Sequence, residues 1–242
     1  MPDKNDLVKV ALSYVGTAEN PLGSNKQIFG EYIDKTNWYE YKDGDKTWIH
    51  KVNGFDWCTT YHDFCFVKCF GIDEARRLLN RPRYNNLGAV VKYAYGYMNA
   101  IGKISSTPEI GCSIYFKNDK GLSHIGIVYD YDDMYVYTVE GNAGKNCWYV
   151  VKNKYLRTYN RIVGYDRPLY NEKPKKYPNP PFKAICTLKG VAMRDIPYSD
   201  GNIIATIKEG ATVTVEKMEG SSGDFAKISG YVYLPGGFKW EV

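Results

Sequence analysis

The 242-residue sequence contains no stretch that approaches the roughly 18 consecutive apolar residues of a membrane span, so we expect no transmembrane segment. Its first residues, MPDKNDLVKVALSYVG, lack a basic segment followed by an apolar one, so no secretory signal is visible. The protein is therefore expected to work in the cytosol, or to be synthesised there and reach its target by release or export.

Long runs of one charge sign are also absent. The 32 Lys and Arg residues exceed the 27 Asp and Glu residues by five, which makes the chain mildly basic. Such a charge favours anionic polymers in general and does not specify one. Because the lysines are scattered and not gathered with aromatic residues on one face, we expect no nucleic-acid partner.

A C-x-x-C pair is missing too, although the stretch FDWCTTYHDFCFVKCFG holds three of the six cysteines and one of the three histidines. On a helix, Cys58, His62, Cys65 and Cys69 fall along one side, as the ligands of a metal would. At 1.5 Å rise per residue, however, the outer two lie about 16 Å apart, whereas zinc ligands sit about 2.0–2.3 Å from the metal. All four therefore cannot bind a single ion.

The three cysteines are expected to have different roles. Cys65 and Cys69 lie on a helix that is apolar around most of its circumference, so we interpret them as packing residues of a buried helix. Cys58 falls in the first turn, after Gly54 and Asp56, where free N–H groups and the helix dipole stabilise a thiolate. The same N–H groups are able to bind an oxyanion, so Cys58 is the candidate nucleophile.

A cysteine nucleophile needs a base, and three histidines are available. His62 lies one turn along from Cys58 but is more simply a structural group on a crowded helix, and His50 has no visible partner. His124 opens the strand pattern HIGIVYD, which is followed by MYVYTVE. If these strands form a hairpin centred on Asp132, His124 lies directly opposite Glu140, near enough for the carboxylate to orient the imidazole.

The order of patterns along the chain predicts an α+β fold. Helical periodicity dominates before Pro108, and alternating, β-branched segments separated by turn residues follow it. The proline-rich segment DRPLYNEKPKKYPNPPF marks a linker. We therefore divide the chain into a larger domain at residues 1–167, a linker at 168–182 and a small all-β barrel at 183–242.

The motifs FDWC at a helix start, PEIGCSIYF leading into HIGIVY, and VYTVEGN resemble the cysteine, histidine-dependent amidohydrolase/peptidase (CHAP) family. The early segment ALSYVGTAENPLGSN also resembles the N-terminal helix of CHAP domains in phage endolysins. The resemblance covers roughly residues 5 to 167 and implies a papain-like, NlpC-type catalytic fold. It further implies hydrolysis of amide bonds in bacterial peptidoglycan, at muramoyl-L-alanine or within the peptide stem and cross-bridge.

Carried over by position, the resemblance assigns Cys58 as nucleophile, His124 as general base and then acid, Glu140 as the group that orients it, and Asn142 as an auxiliary polar residue. The chain departs from the family at Gly111-Cys112, where Gly-Asp is usual. A second departure is Thr59, where the family has a small residue.

Further residues are expected near the substrate. Trp57 and Thr59 flank the nucleophile, and Trp48 belongs to an aromatic segment that is suited to line a groove. Some family members bind calcium through alternate aspartates before the nucleophile, and Asp43 and Asp45 are the candidates here, although a polar turn also explains them. No cofactor is expected to be required.

The C-terminal pattern GVAMRDIPYSDGNIIATIKEGATVTV resembles the bacterial Src-homology-three domains of wall hydrolases, which implies cell-wall binding. We expect a monomer whose partner is peptidoglycan. The alternatives that remain are a phage endolysin, a host autolysin of the same chemistry, and a non-catalytic wall-binding protein with a degenerate hydrolase domain.

Overall fold

The computed structural model describes residues 2–170, 181–186, 191–194, 203–219, 225–228, 231–233 and 238–240. The chain divides into two compact units, Met1–Asn171 and Glu172–Val242. Most of the predicted linker, residues 171–180, lies outside the described residues.

The first unit contains five helices among its described residues. They are α1 (Lys4–Leu12), α2 (Ile28–Ile33), α3 (Cys58–Phe70), α4 (Ile72–Leu78) and α5 (Val91–Ala100). Helix α3 is central: every residue from 58 to 67 is buried, and the helix contacts α1, α2, α4 and the sheet. It ends at Gly71, whose φ of 80° lies in the region that favours glycine.

The main sheet follows the helices in the chain, as the sequence predicts. A two-stranded hairpin precedes α3, and the later strands form an antiparallel sheet in the order β3-β8-β4-β5-β6-β7. The strands are β1 (Glu40–Asp43), β2 (Lys46–Ile49), β3 (Ile104–Ser105), β4 (Ser113–Asn118), β5 (Gly121–Tyr131), β6 (Tyr135–Ala143), β7 (Tyr149–Leu156) and β8 (Ile162–Asp166). The expected α+β class with a mostly antiparallel sheet is therefore confirmed.

The described strands of the second unit form two separate sheets, ordered β11-β10-β15-β14-β13 and β12-β9-β16. The strands are β9 (Phe182–Cys186), β10 (Val191–Arg194), β11 (Ile203–Ile207), β12 (Thr212–Val215), β13 (Lys217–Glu219), β14 (Phe225–Lys227), β15 (Tyr231–Tyr233) and β16 (Phe238–Trp240). No pairing among these strands joins the two sheets, so the expected closed barrel is not found in the described residues. An alternating pattern predicts strands but not the closure of their edges.

Among the described residues, every helix is too short or too polar to cross a bilayer.

The packing of α3 on β6 requires a residue without a side chain at position 141. A Cβ atom on Gly141 would lie 2.5 Å from Cβ of Tyr61 and 2.8 Å from Cζ3 of Trp57. Gly141→Ala is therefore expected to lower the free energy of unfolding by about 1–3 kcal/mol, the usual cost of overpacking. Denaturant unfolding followed by circular dichroism measures this change.

Gly96→Ala is the matched control, because a Cβ atom there meets nothing within 4 Å and the residue lies inside α5. It should be neutral or stabilising by up to about 1 kcal/mol. Equal unfolding midpoints for Gly141→Ala and the wild type would contradict the proposed contact.

Candidate active site

Cys58 is the first residue of α3, as the sequence predicts. Its N-terminal neighbour Trp57 has non-helical dihedral angles and provides no side-chain cap, so no side chain occupies the N–H groups of the first turn. The Cys58 thiol is free, and only 6% of the residue is exposed. It packs with Val91 of α5 and with Tyr115 and Ile125 of the sheet.

His124 is hydrogen-bonded to Glu140 and lies close to Cys58. Its Nε2 is 2.9 Å from Oε2 of Glu140, and Cys58 is near enough to the ring to help raise the pKa of the imidazole. Because Nε2 is taken by Glu140, Nδ1 is the ring atom left for the thiol. About 24% of the His124 side chain is exposed, against 2% for Glu140. The structure thus brings together Cys58, His124 and Glu140, which were predicted from separate segments of the sequence.

The predicted register of the hairpin was wrong by two residues. Val128 pairs with Thr138 and not with Val136, which places Glu140 opposite Gly126 and diagonal to His124. Two features cause the shift. The turn is centred on residues 133–134, beyond Asp132, and a β-bulge interrupts the pairing between Val128 and Asp130.

The shift leaves the chemistry intact because side chains alternate along a strand, so a displacement of two residues keeps Glu140 on the face of His124. Glycine at position 126 makes the approach possible. A Cβ atom there would lie 2.6 Å from Cγ of Glu140.

The Glu140 carboxylate is held by three further donors that the sequence analysis missed. Oε2 accepts hydrogen bonds from Nδ2 of Asn153 at 3.0 Å and from the hydroxyl of Tyr155 at 3.2 Å, and Oε1 accepts one from the hydroxyl of Thr138. Asn153 lies opposite Thr138 on β7. Asn153 and Tyr155 occupy alternating positions on β7, the strand that follows Glu140. This alternation identifies them as partners of Glu140 only when the register of β7 against β6 is known.

These contacts change the ionisation of His124. Burial alone would lower the pKa of its imidazole, but hydrogen bonds to Cys58 and Glu140, together with the charges of these two groups, outweigh burial and raise the pKa to about 10. The imidazole therefore carries a proton at neutral pH. A protonated histidine beside a cysteine stabilises a thiolate.

Asn142 follows Glu140 in the strand but does not join its network. It is half-buried, adopts a left-handed conformation with φ of 53°, and makes no side-chain hydrogen bond within the described part of the chain. Its auxiliary role stays a prediction.

Two of the three residues expected to contact substrate are buried, which corrects the prediction. Trp57 has no exposed surface, and its Nε1 donates a hydrogen bond to Oε1 of Glu19 at 2.8 Å. Thr59 is 1% exposed, and its hydroxyl donates to the carbonyl of Ala89 at 2.8 Å. Both side chains therefore point into the core. Their role is to fix the surroundings of Cys58.

Exposed apolar residues near Cys58 are Phe55, three positions earlier in the chain, and Val90, next to Ala89. Their exposed fractions are 64% and 55%. Trp48, the third predicted contact residue, is 49% exposed and lies on the β1–β2 hairpin.

The calcium candidates lie at the tip of that hairpin. Asp43 ends β1 and Asp45 belongs to the turn, and both are exposed. In the part of the chain that the structure describes, no group of three or more His, Cys, Asp or Glu side chains is arranged to hold a metal ion. No further calcium ligand is therefore identified beside Asp43 and Asp45 in the described residues, and calcium binding stays a prediction.

His62 has a structural environment, as proposed from the sequence. It is 1% exposed, with Nδ1 2.8 Å from Oδ1 of Asp63 and Nε2 2.7 Å from Oγ of Ser113. Burial would raise the pKa of Asp63, but the charge of Arg81 and hydrogen bonds from His62 and Trp38 lower it. The buried carboxylate is thus fully paired and anchors α3.

The other two cysteines of α3 pack in the core or at its border. Cys65 is completely buried and Cys69 partly buried, and burial raises the pKa of both thiols, that of Cys69 to about 11. Neither thiol is therefore a nucleophile at neutral pH. Cys112, which stands where the CHAP family usually has Asp, is also a buried packing residue: it is 1% exposed, and burial raises the pKa of its thiol.

Comparison with known proteins adds little to this geometry. No protein-family model and no curated protein match the sequence. A similar solved structure is the crystal structure of Ly7917, at 15% identity and a TM-score of 0.43, covering 96% of this chain and 92% of that one. A second is Ly7917 with the hydrolyzing product of MDP, at 17% identity and a TM-score of 0.33, covering 95% and 92%. At these values the likeness carries no argument about fold or function.

The pKa of His124 is the first test of this site. Nuclear magnetic resonance titration of the imidazole should give a value near 10 in the wild type. In Glu140→Gln and in Cys58→Ala the value should fall, because burial is then opposed by one partner instead of two. Glu31→Gln, at an exposed carboxylate, should leave it unchanged. A wild-type value near 6.5 would contradict the site geometry.

The same shift predicts how stability depends on pH. Since the pKa of His124 in the folded protein lies above the ordinary histidine value of about 6.5, the stabilisation by the bound proton is complete below about pH 6.5 and is lost as the pH rises towards 10. The difference in unfolding free energy between the wild type and His124→Gln should therefore shrink across this window. Urea unfolding at a series of pH values measures it, and a constant difference would contradict the prediction.

Proposed function

We propose that the protein is a papain-like cysteine hydrolase of the CHAP type that cleaves amide bonds in bacterial peptidoglycan. The observation that carries the proposal is the position of Cys58 at the start of a buried helix and close to His124, whose imidazole is hydrogen-bonded to Glu140. This is the arrangement of nucleophile, base and orienting group that covalent catalysis by cysteine requires. The choice of peptidoglycan as substrate rests on the sequence resemblance.

In the acylation half of the reaction, the proton of the Cys58 thiol resides on His124, and the thiolate attacks the carbonyl carbon of the amide. The oxygen of the resulting tetrahedral intermediate is placed to accept hydrogen bonds from the N–H groups at the start of α3. His124 then donates its proton to the departing nitrogen. The C–N bond breaks, the amine leaves and an acyl group remains on the sulfur as a thioester.

In the deacylation half, His124 takes a proton from water as the water oxygen attacks the thioester carbonyl. The C–S bond breaks, the carboxylic acid leaves, and the proton returns the pair to its starting state. Glu140 stays hydrogen-bonded to Nε2 throughout, which keeps Nδ1 directed at the sulfur. The donors Thr138, which is buried, and Asn153 and Tyr155, which are half-buried, hold Glu140 and therefore act as positioning residues.

For the second unit we propose a cell-wall-binding role, on the basis of its resemblance to bacterial Src-homology-three domains. A binding domain tethered to a hydrolase raises the local concentration of the catalytic site on an insoluble polymer. The combination fits an endolysin that is synthesised in the cytoplasm and reaches the wall after release. An autolysin would use the same chemistry.

Clearing of purified bacterial walls tests the proposal. Wild-type protein should reduce the turbidity of a wall suspension, and Cys58→Ala should lose at least about 10³-fold of that rate because no other group forms the thioester. Cys147→Ser is the matched control, since Cys147 is an exposed cysteine outside the site, and it should clear walls at the wild-type rate.

Mass spectrometry of the released fragments identifies the bond that is cut. A new amino terminus on alanine together with free muramic acid carboxyl groups would indicate an amidase, whereas new termini within the peptide would indicate an endopeptidase. Equal clearing by wild type and Cys58→Ala would refute the nucleophile assignment. Binding to walls without release of fragments from any wall type would refute hydrolysis.

A further inference from the structure

The β1–β2 hairpin carries a cluster of exposed aromatic rings that the catalytic mechanism does not use. Tyr41 and Trp48 are directly paired across the hairpin and stack with ring centroids 5.9 Å apart. His50 adds a third ring, 5.5 Å from Tyr41. Tyr93 of α5 is 38% exposed and lies near enough to Tyr41 to affect its ionisation. We call Tyr41, Trp48, His50 and Tyr93 the aromatic platform.

The platform is fixed to the body of the first unit by backbone contacts along β1. The N–H of Asn85 donates to the carbonyl of Glu40 at 2.8 Å, and Oδ1 of Asn85 accepts from the N–H of Lys42 at 3.0 Å. An isolated bridge also joins Glu40 to Tyr84. A hairpin held in this way presents its rings in a set position, so binding to it carries a small cost in conformational entropy.

The anchoring segment leads directly to the candidate active site. Four residues after Asn85, the carbonyl of Ala89 accepts the hydrogen bond of Thr59, the neighbour of the nucleophile. Two residues further, Val91 begins α5 and packs against Cys58. Tyr93 is in the first turn of the same helix, so this turn contributes one residue to the packing around Cys58 and another to the platform.

Lys92 of α5 adds a positive charge beside the platform, because its Nζ lies 5.1 Å from the centre of the Tyr93 ring. At the hairpin tip, Asp43 lies opposite Lys46, and the turn carries one further exposed carboxylate, Asp45. The surface therefore offers flat aromatic rings with a cation at their border, which complements a ligand that has an apolar ring face and a negative group.

We propose that the aromatic platform is a subsite for a muramoyl peptide, with a pyranose ring stacked on Trp48 and Tyr41 and a peptide carboxylate near Lys92. The axial C–H groups of a pyranose are weakly positive and match the negative face of an aromatic ring. The stem peptide is acidic and matches the cation. This inference rests on the proposed function and narrows it: the amide that is cut lies close to the sugar, and the enzyme recognises glycan and peptide together.

Binding measurements on the full chain test the subsite without catalysis. In a Cys58→Ala background, isothermal titration calorimetry is performed with a disaccharide pentapeptide, with the free pentapeptide and with a neutral chitin disaccharide. Trp48→Leu should weaken binding of the disaccharide pentapeptide by about tenfold, equivalent to about 1.4 kcal/mol, and leave that of the free peptide unchanged. Lys92→Gln should weaken both acidic probes and leave the neutral disaccharide unaffected.

Tyr131→Leu is the matched control, because Tyr131 is an exposed ring, 41% accessible, at the far end of β5. It should bind all three probes as the parent does, and circular dichroism melting should show that every variant is folded. Equal affinities of Trp48→Leu and the parent for the disaccharide pentapeptide would overturn the subsite, as would a parent that binds none of the probes.

The outcomes separate this inference from the proposed function. If wild-type protein clears walls but Trp48→Leu binds as the parent does, the subsite is refuted and the hydrolase stands. If walls are not hydrolysed but the loss of binding on Trp48→Leu is observed, hydrolysis is refuted and the platform stands as a glycopeptide-binding surface.

Discussion

The close approach of α3 to strands β5 and β6 is the constraint on which the candidate site depends. It is possible because Gly141 leaves room for Tyr61 and Trp57, and Gly126 leaves room for the side chain of Glu140. The approach fixes the start of α3 against the sheet, so Cys58 and His124 meet although they come from different layers of the fold. A rigid helix that is buried along ten consecutive residues has little freedom to change this distance.

The buried carboxylate of Glu140 is stabilised by its hydrogen-bond donors. A buried charge without partners carries a large desolvation penalty, which hydrogen bonds from His124, Thr138, Asn153 and Tyr155 offset here. The same contacts fix the orientation of the imidazole. Asp63 of α3 is another buried carboxylate with several hydrogen-bond partners. These partners are Trp38, Tyr39, His62 and Arg81 and do not include Cys58, so this network serves stability.

The residues around Cys58 thus divide into two groups with different surroundings. Trp57 and Thr59 are enclosed and set the position of the nucleophile, whereas Trp48 and His50 of the β1–β2 hairpin are exposed to solvent. Sequence proximity to the nucleophile was therefore a poor guide to substrate contact. A residue next to a catalytic group on a buried helix points into the core as often as out of it, because successive side chains turn by about 100°.

Local patterns in the sequence determined the α+β class, four of the six strands of the main sheet, the first-turn position of Cys58 and the structural character of His62, since these depend on periodicity and on neighbours along the chain. The choice of His124 and Glu140 also followed from a strand pattern. The prediction that their side chains lie on the same face of the sheet was right, but the predicted register of the two strands was wrong. A β-bulge and a two-residue turn decide the register, and neither leaves a clear signal when one strand is considered alone. Only the tertiary structure decided which donors hold Glu140, that Trp57 and Thr59 are buried, and that the described strands of the second unit form two open sheets, because each of these depends on contacts between residues that are distant in the sequence.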